Sequence, residues 1–160
     1  MIKCLVLSLS LLATSAFGDT YEVEPKYRGG GNMLKFWLMV GNLSNEGTSV
    51  VIGKGGCTSA CTLFLLAEKV CVHPDTVFEF HGPTGMKAKP FLLFGLQPPN
   101  NGLTTQEHKN TVDFLANAYN LRWPGLGDWF LKKASGKYGY AVSKVKGIAL
   151  HTSFNVPLCH

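Results

Sequence analysis

The chain has 160 residues, 46% of them hydrophobic and 16% charged, and 15 Lys and Arg against 10 Asp and Glu leave a formal charge of +5. That is length enough for one compact domain with a real core. The cations are scattered and form no basic stripe interleaved with aromatics, which argues against nucleic acid as a partner and leaves weak attraction to anionic surfaces.

Residues 1–18 read as a cleavable secretory signal peptide. Lys3 is the only charge before Asp19. The apolar run Cys4 to Ala13 has the length of a signal core and is too short to span a bilayer comfortably, and Ala16 and Gly18 place small residues before a cut at Asp19. Residues 19–160 are then a single domain, and the protein is exported to the periplasm or secreted. Export removes Cys4 and leaves Cys57, Cys61, Cys71 and Cys159, an even set in an oxidising compartment. At least one disulfide is expected, with Cys57–Cys61 the favoured pair because it would brace the intervening turn. Zinc is the rival, although Cys57-x3-Cys61 with a distant Cys71 is not a standard zinc spacing.

The elements follow in chain order. Thr20 to Pro25 alternates and reads as a strand. Arg28-Gly29-Gly30-Gly31 breaks the chain, and Asn32 to Leu43 carries apolar residues at helical recurrence. Thr48 to Ile52 is a β-branched buried strand, Gly53 to Gly56 a turn, and Ser59 to Lys69 a helix rich in Ala and Leu. Val70 to Val72 and Thr76 to Phe80 are short strands. Residues 82–106, rich in proline and glycine, read as a long loop. Glu107 to Asn120 and Gly127 to Ala134 read as helices, and Tyr140 to Ile148 as a short helix running into a last strand. The tail from Thr152 is uninformative. Alternating strands and helices predict an α/β fold with a mainly parallel sheet and flanking helices.

Two stretches carry chemistry. Gly55-Gly56-Cys57-Thr58-Ser59-Ala60-Cys61 leads from a buried strand through small residues into an apolar helix. A serine there sits among unpaired helix-start N–H groups, in a field that favours negative charge. That suits a nucleophile whose attack creates an oxyanion, and equally suits an ordinary N-cap. His81, in Phe80-His81-Gly82-Pro83, ends a strand and faces a break, placed to act as a base if the next-door strand brings it to Ser59. Lys54, Lys87 and Lys89 offer a Ser/Lys alternative that fits less well than His81.

Together, the glycine turn, the helix, the buried strand, Cys-Thr-Ser-Ala-Cys at a helix start and then Phe80-His81-Gly82-Pro83 resemble the Clp protease-like branch of the crotonase superfamily, in particular exported bacterial proteins with a C-x-S-A-C motif. The resemblance spans Glu22 to Pro83, with a weaker echo near Tyr140 to Ile148. It implies a ClpP/crotonase-like fold, here N-terminally short, and an exported serine hydrolase, a peptidase. Ser59 would be the nucleophile and His81 the general base. The amides of Ala60 and of Gly31, or Gly30, would form the oxyanion hole. Asp128 is the best candidate for the family's third residue, ahead of Asp113. No cofactor or metal is implied. The partners would be a peptide or a small ester or amide substrate, with a homo-oligomer left open. The alternative, favoured by the lack of a clear third residue and the short N-terminus, is a non-catalytic binding module on the same fold.

Overall fold

The computed structural model describes residues 18–85, 103–137 and 141–159. Residues 1–17 of the expected signal segment, the middle of the expected long loop with Lys87 and Lys89, and Tyr140 lie outside the described residues. The protein is an α/β structure with two three-stranded sheets among the described residues, where three of the four strand pairings are parallel.

The first sheet is built from β1 (Thr20–Glu22), β2 (Ser49–Ile52) and β4 (Lys69–Val72) in the order β1-β2-β4. Its β-branched residues alternate, so that Val50 and Ile52 of β2 and Val70 and Val72 of β4 are buried while their neighbours face outward. This is the two-residue period of a strand with one face on the core. Each such side chain contributes roughly 1.5–3 kcal/mol on burial.

The second sheet contains β3 (Gly56–Thr58), β5 (Val77–Phe80) and β6 (Ser143–Lys146), in the order β3-β5-β6. β3 runs parallel to β5, and β6 returns antiparallel. Phe78 and Phe80 point into the core, where Phe80 meets Tyr119 and Trp129 edge-on at 5.7 and 5.3 Å. β3 lies in the stretch expected to be only a glycine turn. Its three residues give no periodic pattern and become a strand by pairing with β5.

A short helix α1 (Pro25–Arg28) leads into the glycines, and α2 (Met33–Asn45) lies between them and β2. Asn32 caps α2, its Oδ1 accepting from the Lys35 N–H at 3.1 Å. Phe36 and Val40 bury the inner face of α2. Arg28 explains why a large cation precedes the glycines. Its guanidinium donates to the carbonyls of Val23, Gly53 and Lys54 at 3.2, 3.0 and 2.6 Å, pinning α1 to the turn between β2 and β3.

The helix expected over Ser59 to Lys69 is a 3₁₀ helix, Ser59–Leu66. Its residues 60–65 are all buried, so burial on every side holds it and not the amphipathic pattern of a surface α-helix. The Thr62 hydroxyl reaches back three residues to the Ser59 carbonyl at 2.7 Å and also meets the Tyr119 hydroxyl at 2.8 Å. Trp123 Nε1 donates to the Leu65 carbonyl at 2.7 Å, securing the far end.

The second half supplies α3 (Thr105–Arg122), α4 (Leu126–Lys133) and α5 (Gly147–Phe154). Thr104 and Glu107 form a capping box at the start of α3, which therefore begins earlier than Glu107. The segment expected as helix then strand has the reverse order, β6 before α5. Ser143-Lys144-Val145-Lys146 alternates as an edge strand does, and the chain turns into α5 at Gly147, where a side chain would run into the backbone carbonyl of His73. Asn155, at φ 59°, ends α5 in the left-handed conformation. The tail then continues beside β4. The Val72 N–H donates to the Pro157 carbonyl at 2.9 Å and the Cys159 N–H to the Val72 carbonyl at 3.0 Å. No described helix is long and apolar enough to cross a membrane.

All four cysteines of residues 19–160 are oxidised. Cys57 pairs with Cys61, as favoured from the sequence, and Cys71 with Cys159. The pairings leave no thiolate for the rival zinc reading and fit an oxidising, exported environment.

Candidate functional site

β3 ends at Thr58 and the 3₁₀ helix starts at Ser59, with no linker between them. A chain that changes direction in one step needs a residue outside the usual regions. Ser59 supplies it at φ 57°, in the left-handed region that costs a side-chain-bearing residue about 1–2 kcal/mol. The Cys57–Cys61 disulfide brackets the turn, and both half-cystines are fully buried. The serine is half-buried and at the surface end of the turn.

The glycine break packs directly on this turn. A Cβ on Gly30 would stand 2.5 Å from the Thr58 carbonyl oxygen, 2.7 Å from Ser59 Cβ and 3.0 Å from the Ala60 nitrogen, and Gly30 itself is at φ 79°. Only glycine allows this approach. The expected pieces Gly30, Ser59 and Ala60 are thus brought together. Their amides are not equivalent. The Gly30 N–H donates to the Tyr27 carbonyl at 3.1 Å, whereas the Gly31 N–H has no acceptor among the described residues. Of the two glycines, Gly31 therefore keeps a donor to offer. The Ala60 N–H, in the first turn of its helix, has no intrahelical acceptor.

His81 follows β5, the strand beside β3. Thr58 lies in register with Glu79, so Ser59 and His81 leave the C-terminal ends of neighbouring parallel strands, whose spacing is about 4.8 Å. No hydrogen bond joins the two side chains. His81 Nδ1 lies 2.6 Å from the Gly82 carbonyl oxygen. A carbonyl only accepts, so Nδ1 carries the proton and Nε2 keeps the lone pair. Burial pushes the His81 pKa below its ordinary value, opposed by the Gly82 carbonyl and the Glu79 charge. The imidazole is neutral at pH 7, as a base requires. Gly82 is itself anchored, its N–H donating to the Lys137 carbonyl at 2.6 Å.

Asp128 is occupied elsewhere. Its carboxylate accepts from Asn120 Nδ2 at 2.9 Å at the exposed corner between α3 and α4, and it is not among the charges that act on His81. Asp113 pairs with Lys109 on the outer face of α3 at 2.6 Å. Lys54 faces Asp75 at 3.6 Å on the surface. The carboxylate beside His81 is one that sequence reasoning passed over, Glu79. It accepts from Thr58 Oγ1 at 2.8 Å and pairs with Lys144 Nζ at 2.7 Å. Lys144 first, and then the Thr58 bond, hold its carboxyl below the usual range, while burial works the other way. The signal was present in Phe78-Glu79-Phe80-His81, where a carboxylate stands two positions before the histidine. Its meaning depended on the partners that β3 and β6 bring.

Comparison with protein-family models, curated proteins and solved structures finds no match for this chain.

Proposed function

We propose that the protein is an exported serine hydrolase of the crotonase-like type, a peptidase, with Ser59 as nucleophile and His81 as base. The observation that carries the reading is Ser59 itself: a serine in the left-handed conformation at a strand-to-helix junction, with a glycine turn pressed against it. Backbone strain of this kind persists where the surroundings over-determine it, and it clusters at reactive groups. The neutral His81 with its proton fixed on Nδ1, just past the neighbouring strand, adds to this.

In the reaction, Ser59 Oγ bonds to the substrate carbonyl carbon as His81 Nε2 takes the hydroxyl proton. The carbonyl oxygen becomes an oxyanion facing the N–H groups of Ala60 and Gly31. Collapse breaks the bond to the leaving amine or alcohol, which receives the proton from His81. Water, deprotonated by the same imidazole, then releases the acid and restores Ser59. The Gly82 carbonyl holds the tautomer that a third-residue carboxylate would otherwise hold.

The test is labelling by a fluorophosphonate probe. The wild-type protein is expected to react, Ser59→Ala not at all, and His81→Ala slower by roughly 10²–10⁴-fold. Because burial lowers the His81 pKa, the labelling rate should rise with pH through a midpoint below the ordinary imidazole value of about 6.5. A folded, disulfide-intact wild-type protein that never labels would refute the hydrolase. The second reading, a binding module on the same scaffold, would then take its place. It is favoured by the absence of a Ser59–His81 hydrogen bond and by the engagement of Asp128 with Asn120.

A further inference from the structure

Glu79 is placed as no other charged residue of the second sheet is. In register, Thr58 of β3, Glu79 of β5 and Lys144 of β6 form one row across the sheet. The carboxylate joins all three strands, one oxygen accepting from Thr58 at 2.8 Å and the other meeting Lys144 at 2.7 Å. Its side chain is 23% exposed against 64% for Lys144, so the anion is the sheltered member of the pair. Thr58 is the last residue before Ser59. His81 stands two positions after Glu79, one residue past the end of β5, and the Glu79 charge acts on it, while Phe78 and Phe80 are buried in the core.

We propose that Glu79 is a positioning residue of this site: it ties the end of β3, and with it Ser59, to β5, and it presents the negative charge that steadies the protonated form of His81. The assignment rests on the proposed hydrolase only for its effect on rate. The electrostatic link to His81 stands or falls separately.

The charges around His81 fix the sign of the effect. From β5 comes Glu79, and from β6 Lys144, neutralised by it. β3 and the start of the 3₁₀ helix present Thr58, Ser59 and Ala60, which do not titrate there. Beyond α4, Lys137 directs its ammonium to the Val142 carbonyl at 3.4 Å. Tyr119 of α3, packed on Phe80, is pushed by burial to a higher pKa and stays neutral. Glu79 is thus the anion that acts on the imidazole among the described residues. Removing its charge also frees the Lys144 cation, and both changes disfavour the imidazolium.

The experiment follows the His81 ring by NMR titration, its signal assigned by loss in His81→Ala. Glu79→Gln keeps an acceptor for Thr58 and removes the charge, and His81 is expected to titrate at lower pH. Lys144→Met leaves the carboxylate unneutralised and should move the titration the opposite way, which keeps the test decisive if Glu79→Gln folds poorly. In probe labelling at neutral pH, Glu79→Gln should react roughly ten- to a hundredfold more slowly, with its pH profile displaced downward together with the titration. Opposite displacements in the two variants support the proposal, even if no variant labels. An unmoved His81 titration in both folded variants overturns it and reduces Glu79 to a structural clamp.

Discussion

The two sheets of this protein differ in what their outward residues do. In β1-β2-β4 the buried face is aliphatic, and the outward positions carry Ser49, Val51, Lys69 and Cys71, of which Lys69 donates to the Gly47 carbonyl at 3.2 Å and Cys71 is held in a disulfide. In β3-β5-β6 the outward row is Thr58, Glu79 and Lys144, hydrogen-bonded across the sheet, and β3 and β5 lead directly into Ser59 and His81. The first sheet is a support whose side chains answer to packing. The second is mixed in direction, and it holds the row of polar groups that bridges its strands. The disulfides mirror this division. Cys71–Cys159 joins residues 88 apart and ties the tail to the first sheet, while Cys57–Cys61 joins residues four apart around the candidate nucleophile. One constrains the chain as a whole, the other a single turn.

Separate removal of the two disulfides should expose that contrast. The double change Cys71→Ala with Cys159→Ala releases a long loop and should lower unfolding stability by about 4 kcal/mol. The readout is denaturant unfolding of the oxidised protein. Probe labelling below the unfolding transition should change little. A loss under about 1 kcal/mol would mean that the tail's backbone bonds to Val72 suffice to hold it.

The double change Cys57→Ala with Cys61→Ala closes no long loop, and the expected loss of stability is smaller, about 2 kcal/mol. Its effect on the site should be larger than that of the first pair. Without the brace, the Ser59 turn is free to relax, and labelling should slow roughly tenfold or more. If the two double variants label alike, the assignment of one disulfide to the fold and the other to the turn is wrong.

The smallest effect sharpens the claim of strain. Ser59→Gly removes the side chain from a φ of 57° and should be more stable than Ser59→Ala by about 0.5–1 kcal/mol, the left-handed cost less glycine's extra chain entropy. Thermal unfolding of the two variants side by side measures it. Should Ser59→Ala prove the more stable, the turn carries no strain for the serine to bear.

Much of the first sheet was legible because its cause is local. Thr48 to Ile52 and Val70 to Val72 read as strands from their β-branched residues alone, whereas which face is buried, that of Val50, Ile52, Val70 and Val72, is seen in the structure. The α2 helix was readable from its apolar recurrence, and the Ser59 turn from the run of small residues between strand and helix. The Cys57–Cys61 pairing was favoured because it would brace the turn that carries Ser59, and the structure has it.

What tertiary structure alone decided involves groups far apart in the chain. β3 exists because β5 pairs with it, and a three-residue segment has no period to read. The 3₁₀ winding of residues 59–66 depends on burial from all sides, the Tyr119 hydroxyl and Trp123, more than fifty residues on. The clamp on Glu79 needs Lys144, and the Gly82 carbonyl that meets His81 belongs to a residue anchored by Lys137. Asp128 looked available in the sequence because nothing in its neighbourhood shows that Asn120, one helix earlier, reaches it. Residue types and local periods determine where β2, β4 and α2 form and where a reactive serine can stand. Which charge stands beside the histidine is set by how the strands align, and alignment is a property of the folded chain.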